Sequence, residues 1–367
     1  MPSVSLFAPY QMGPHHLANR LVMNPMTRSR ADASAVPTAI MATYYGERAD
    51  AGLIITEGIA PSPNGRGYAR TPGIWSPAQI EAWKPVTAAA HAKGGKIFAQ
   101  FMHVGRIGHA GNLVDGGNLV SASALAAPGQ MYTDSQGMQD HPVPHAMTDA
   151  EIASTKAEFV SAAKNAIAAG FDGVELHGAN GYLLEQFLSP LTNTRTDSYG
   201  GSVANRIRFV VEVAEAVAAA IGGDNTGIRL SPYGKAGGMS AYPELDETYL
   251  TLTKALAAAG LVYIHIADHV GMGNPPIPED FRADLRKAWP RTLIQGGSLD
   301  SGSAQAAVDD GKIDLAGFGR TFLANPDLVT RLKNGLALNA PDFSTFYTPG
   351  EKGYIDYSVA AKQVAAE

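Results

Sequence analysis

The stretch Phe171-Asp172-Gly173-Val174-Glu175-Leu176-His177-Gly178-Ala179-Asn180-Gly181-Tyr182 decides how the chain is read. A short apolar run, Asp172–Leu176, passes into a polar knot and then into Leu183-Leu184-Glu185-Gln186-Phe187-Leu188. Side chains alternate between the faces of a strand, so Glu175 and His177 share one face. Asn180 follows three residues after His177, a spacing that suits two hydrogen-bond donors aimed at one acceptor. Tyr182 adds a phenol able to give up a proton. Together these groups suit the polarisation and protonation of a conjugated carbonyl. They also suit a plainer task, capping and bracing a strand-to-helix turn around an interfacial aromatic.

Seven further runs of the same kind lie on either side: Leu21–Met26, Gly52–Thr56, Lys96–Met102, Gly227–Ser231, Leu261–Ile266, Thr292–Gln295 and Ile313–Phe318. Near-continuous hydrophobicity marks strands buried on both faces, as in a parallel sheet. Helix-period segments separate them. Ser76-Pro77 opens Ala78–Lys93, Thr148-Asp149 opens a helix to Ala169, and Gly201-Ser202 opens Val203–Ile221. Asp246 opens Glu247–Ala259, Ser301–Asp310 stops at Gly311, and Asn325-Pro326 opens Asp327–Asn334. Strand and helix alternate eight times, which predicts an α/β chain folded as a (β/α)8 TIM barrel. Residues 3–19 are expected to form a hairpin plugging the barrel's N-terminal end. Residues 104–147 are too long for a plain connection and predict a capping subdomain within one domain spanning 1–367.

Composition excludes several classes. Net charge is −6 with no Lys/Arg cluster, which disfavours nucleic acid and anionic membrane as partners. The absence of Cys rules out disulfides, thiolate metal sites, iron–sulfur clusters and a Cys nucleophile. The N-terminal residues have neither the basic region nor the apolar run of a signal peptide, and no run reaches 18 apolar residues. A soluble, cytoplasmic protein is expected.

Catalytic residues of such barrels sit at the C-terminal strand ends. Those ends carry Thr27, Glu57-Gly58, Gln100 and His103, His177 and Asn180, Arg229, Asp268, Gly296-Gly297-Ser298, and Gly319-Arg320. Gly-rich loops after the last two strands, one closing on Arg320, suit a phosphate, although ordinary tight turns with a rim Arg read the same way. Thr27, Gln100, Arg229 and the backbone at Gly58 match the polar edge of an isoalloxazine ring. A buried ion pair of Arg229 with Glu175 or Glu57 is the alternative. A metal hydrolase built on His103, His177, His265 and His269 lacks an assignable carboxylate, so no metal is expected. A glycosidase would need Glu57 and Glu175 to face each other.

The segments Asn24–Arg28, Gly52–Gly58, Gln100–Arg106, Glu175–Tyr182 and Gln186–Pro190 resemble the Old Yellow Enzyme family of FMN ene-reductases. So do Asn193, Arg195–Asp197, Tyr199–Ser202, Gly227–Pro232, Gly317–Arg320 and Ala324–Leu328. The resemblance runs from Leu6-Phe7 to the Tyr354–Tyr357 tail. It implies noncovalent FMN, reduced by NADPH or NADH, with hydride passing from flavin N5 to an enone or nitroalkene. Pro25, Met26, Thr27, Gly58, Gln100 and Arg229 would hold the flavin ring, and Gly297, Ser298, Gly319 and Arg320 its phosphate. His177 and Asn180 would bind the activating oxygen and Tyr182 would protonate Cα, with Tyr68, Met102 and Tyr347 lining the substrate pocket. Thr27 places the chain with the classical subgroup, since the thermophilic-like subgroup carries Cys there. Met102 departs from the Trp that many members have. A monomer or small homo-oligomer is expected.

Overall fold

A computed structural model describes residues 5–114 and 116–360. Eight parallel strands close into a barrel: β1 (Leu21–Met23), β2 (Leu53–Ile59), β3 (Ile97–Phe101), β4 (Gly173–Gly178), β5 (Thr226–Leu230), β6 (Tyr263–Ala267), β7 (Thr292–Gly296) and β8 (Leu315–Phe318). Each lies on one of the eight predicted runs. The ring is completed where β8 meets β1, with Ala316 opposite Leu21. Their continuous hydrophobicity has the expected cause, because helices cover the outer face while side chains fill the inner one. An inner cluster joins Val22, Leu53, Ile55, Phe98, Tyr263, Ile294 and Leu315. The hairpin of Tyr10–Met12 and His15–Leu17 adds Met12 and Leu17 to that cluster and so plugs the N-terminal end. Residues 3 and 4 of the predicted hairpin segment lie outside the described residues.

Helix starts follow the local signals. Ser76 with Gln79, Thr148 with Glu151, and Asp300 with Ser303 each form a reciprocal capping box. Ser202 caps Val203–Ile221 through Asn205 N. Two starts differ from expectation. One helix begins at Leu245, before Asp246, and the other at Leu328, with Asp327 at the N-cap position making no capping bond and Pro326 left outside. Two helices carry no clear sequence signal, Ala39–Glu47 and Glu279–Ala288. The second buries only Phe281 and Leu285 of its ten residues, too thin a stripe to read as a helix from sequence.

Between residues 104 and 147, Gln130–Thr133 pairs antiparallel with Gly137–Asp140, and Val120–Ser121 runs parallel to His145–Ala146. Ile107, Ala127 and Met131 from this excursion pack against Tyr68 and Tyr182. Three arginines fix the C-terminal segment. Arg28 donates to the carbonyls of Phe346 and Gly353, Arg30 to those of Thr345, Phe346 and Lys352, and Arg48 to those of Leu323 and Tyr354.

Large and small residues alternate around the barrel interior. Gly227 on β5 faces Tyr263 on β6, and a Cβ at Gly227 would stand 2.3 Å from that ring. Gly227→Ala should therefore destabilise the fold by about 1–3 kcal/mol through overpacking. Combined with Tyr263→Leu, which makes room, the loss measured by chemical denaturation should be smaller than the sum of the two single losses. Strict additivity would show that the two positions do not share space.

Candidate active site

The floor of the C-terminal mouth is built around Glu175. Its carboxylate has no exposed surface; it accepts from Gln100 Nε2 at 2.7 Å and bonds His265 Nδ1 at 2.9 Å. Burial lowers the His265 pKa, which keeps the ring neutral with its Nδ1 hydrogen on Glu175. Strand register explains the grouping, since Gln100 pairs with Glu175, His177 with Arg229, and Arg229 with His265. Arg229 is buried, and its Nε has no partner. Among the described residues it makes no ion pair within 4.0 Å, so the alternative of a closed pair with Glu175 or Glu57 is not formed. Glu57 faces elsewhere, accepting from Arg28 N and Tyr45 OH, with its pKa raised to about 7 by burial. The two glutamates thus do not make a carboxylate pair across the mouth.

Above this floor the β4 turn brings the three expected side chains together. His177 is 4% exposed and its Nδ1 is unpartnered. Burial, then the Arg229 charge, push its pKa well below the ordinary value, so it is a neutral ring with one N–H. Asn180 takes the left-handed conformation at φ 58°, which Asn tolerates. Its N–H donates to Ser231 Oγ at 2.8 Å, and its Oδ1 accepts from His269 Nε2 at 3.0 Å. His269 is neutral, its pKa lowered to about 4 by burial and by Arg229. With the Asn180 oxygen taken, its amide N–H groups, which bond none of the described residues, remain available as donors. The Tyr182 ring stands edge-on to His177 at 4.8 Å, and its hydroxyl lies 2.9 Å from that of Tyr68.

Glu185 holds this turn and was not singled out in the sequence. Its carboxylate accepts from Gly181 N at 2.6 Å, Ser231 Oγ at 2.8 Å and Tyr249 OH at 2.5 Å. Its place one helical turn after Gly181 is the only sequence signal it leaves.

The other expected residues are distributed along the rim. Thr27 is partly buried and its hydroxyl bonds no side chain or carbonyl among the described residues. Pro25 and Met26 precede it, and Met102 covers Gly58 so closely that a Cβ there would meet its sulfur at 2.7 Å. Gly297 is required by the neighbouring loop, because a Cβ would lie 1.9 Å from the Asp268 carbonyl. Ser298 Oγ accepts from Gly271 N at 3.0 Å, tying the loops after β6 and β7. Gly319 leads into Arg320, whose exposed guanidinium lies over the Phe343 ring at 5.4 Å. His103 is buried, with its pKa lowered to about 3. His265 and His269, four apart, serve Glu175 and Asn180 separately. Among the described residues no group of three His, Asp or Glu side chains is placed to hold a metal. A cavity of about 560 Å³ lies away from the mouth, beside Glu279–Ala288; its arginines are already paired, Arg282 with Asp268 and Arg286 with Asp314.

Residues 5–339 match the NADH:flavin oxidoreductase / NADH oxidase family. The chain belongs to that family. Within it the chain is an Old Yellow Enzyme-type ene-reductase. It is 44% identical over 369 residues to chanoclavine-I aldehyde reductase of Penicillium roqueforti, covering 97% of each chain. It is 43% identical to a probable flavin mononucleotide-dependent alkene reductase of Leishmania infantum, covering 96% of each. Morphinone reductase in complex with tetrahydroNAD superposes with a TM-score of 0.92 at 43% identity, covering 98% of each chain. FMN is the cofactor of this Old Yellow Enzyme homologue and a nicotinamide its reductant. The mouth fits the flavin chemically, offering an unpaired buried guanidinium, a free hydroxyl at Thr27 and the uncommitted carbonyl oxygen of Gln100. Among the described residues no helix is long and apolar enough to cross a membrane.

The Glu185 carboxyl pKa is raised from 4.5 to about 7 by burial. The folded state therefore binds its proton more tightly than the unfolded one, and stability from this group is lost as pH rises from about 4.5 to 7. Glu185→Gln imitates the protonated acid. Relative to wild type it should gain stability between about pH 5 and pH 8, by up to about 3 kcal/mol at the upper end. Thermal melts at both pH values check this, and a pH-independent difference would contradict it.

Proposed function

We propose that the enzyme reduces the activated C=C bond of enones and nitroalkenes, taking electrons from NADPH or NADH through noncovalent FMN. The observation that carries the reading is the trio at the β4 turn. Two neutral donors, His177 and the Asn180 amide, flank a phenol that burial keeps protonated. Bound FMN supplies a hydride to the alkene β-carbon. His177 and Asn180 hold the carbonyl or nitro oxygen and stabilise the negative charge that grows on it. Tyr182 gives its proton to Cα from the other side. Thr27, Gln100, Arg229 and the backbone around Pro25, Met26 and Gly58 would hold the flavin ring; a hydroxyl at Thr27 agrees with the classical subgroup. Gly297, Ser298, Gly319 and Arg320 would hold its phosphate. Tyr68, Met102 and Tyr347 would shape the pocket beneath the 104–147 excursion, read as a cap on a single domain.

Arg320→Ala tests the phosphate assignment. The protein should stay folded and lose most of its yellow colour on dialysis, and unchanged flavin content would place the phosphate elsewhere.

Tyr182→Phe tests the chemistry. In stopped-flow experiments, flavin reduction by NADPH or NADH should persist while enone reduction falls by about 100-fold or more, as loss of a positioned acid predicts. Nitroalkenes should suffer least, because a nitronate can leave without an enzymic proton. Equal slowing of both half-reactions would make Tyr182 a structural residue.

A further inference from the structure

We infer that Tyr68 is a positioning residue for proton delivery: it orients the Tyr182 hydroxyl and returns a proton to it in each turnover. This rests on Tyr182 being the proton donor. The two phenol oxygens are 2.9 Å apart, the rings meet edge-on at 6.2 Å, and no other group among the described residues bonds the Tyr182 hydroxyl. A phenol carries one hydrogen. If Tyr182 is to aim that hydrogen at a carbon, the hydrogen between the two oxygens must come from Tyr68. A carbon acid site offers no strong hydrogen bond to steer the hydroxyl rotor, so the steering falls to Tyr68.

The surroundings make prompt return of the proton necessary. Both phenols pack against Ile107, Ala127 and Met131, and burial raises the pKa of each. A phenolate left on Tyr182 would be poorly solvated there. Tyr68 itself stands on a clamped loop. Gly67 O accepts from Asn112 Nδ2 at 3.0 Å, Tyr68 O accepts from Thr71 Oγ1 at 3.0 Å, and Arg70 reaches Asp134 and the Tyr347 carbonyl. Tyr347 is 61% exposed, its carbonyl accepts from Arg70, two residues from Tyr68, and Tyr68 and Tyr182 are themselves only partly buried. Tyr68 is partly exposed, so solvent can return a proton to it.

The proton count closes. As the Cα–H bond forms, the Tyr182 O–H bond breaks. In the same step the Tyr182 oxygen takes the Tyr68 proton, so no free phenolate forms on Tyr182, and Tyr68 is then reprotonated by solvent water or buffer acid. The hydride is the one the family's flavin chemistry provides, so the alkene gains one hydride and one proton, and no further oxidant or reductant is needed.

The test uses the FMN-loaded enzyme, NADH, an enone, and the variants Tyr68→Phe, Tyr182→Phe and their combination. Tyr68→Phe should slow the alkene half-reaction by about tenfold, less than Tyr182→Phe does, and should slow flavin reduction far less. The dependence of the wild-type rate on the deuterium fraction of the solvent should be bowed, as for two protons in flight, and should straighten in Tyr68→Phe. In the Tyr182→Phe background, Tyr68→Phe should add nothing further. Multiplying losses, or an unchanged isotope dependence in Tyr68→Phe, would overturn the relay and leave Tyr182 as donor. If Tyr182→Phe alone left enone reduction intact, the donor assignment would fall and the relay with it.

Discussion

A carboxylate with no exposed surface must be satisfied by its neighbours, and Glu175 draws those neighbours from two other strands. That demand fixes the barrel mouth. Gln100 spends an N–H on Glu175, which turns its carbonyl oxygen to the opening. His265 spends its Nδ1 hydrogen on the same group and stays neutral. The Arg229 guanidinium feels the Glu175 charge without touching it, so its hydrogens remain available. That cation in turn helps keep His177 and His269 uncharged. One buried anion therefore leaves a ring of polar groups each short of one partner, the condition a bound polar ring can relieve.

The barrel was legible because burial on both faces of a parallel strand writes continuous apolar runs, and all eight appear where those runs lie. Helix starts were legible where a capping box is local, as at Ser76 and Thr148. Local patterns fail where the constraint is distant. Glu185 matters through Ser231 and Tyr249, 46 and 64 residues away, and the Tyr68–Tyr182 bond spans 114. Gly297 was read as a phosphate cradle, yet what forbids a side chain there is the Asp268 carbonyl from the preceding loop. Both readings are compatible, because a backbone pressed against its neighbour is also one free of side chains on the rim.

The pocket walls come from parts of the chain that the barrel rhythm does not govern. Ile107 and Met131 belong to the excursion, Tyr68 to the loop after β2, and Tyr347 to a C-terminal segment held by Arg28 and Arg30. Arg70 links two of these parts, bonding both Asp134 and the Tyr347 carbonyl. Met102 lies directly on Gly58 and offers a flexible thioether where many relatives by resemblance have a rigid indole. On the proposed reading, substrate preference resides in these segments, whereas the donors at the β4 turn are set by the barrel itself.

The charge states of the turn bear on why one mouth can serve two different molecules. A protonated His177 beside Arg229 would put two cations in a buried site, and the low pKa of His177 shows which one yields. A neutral imidazole and an amide bind an uncharged carbonyl modestly in the ground state. They gain most when negative charge appears on its oxygen, which is the selective strengthening that catalysis requires. On the proposed reading, the same donors release the nicotinamide and accept the alkene without a change in their own protonation. Tyr182, raised well above the ordinary phenol value, likewise keeps its hydrogen through the physiological range. The hydrogen-bonding roles at the turn are therefore held constant by burial, and what changes through a reaction cycle is the ligand.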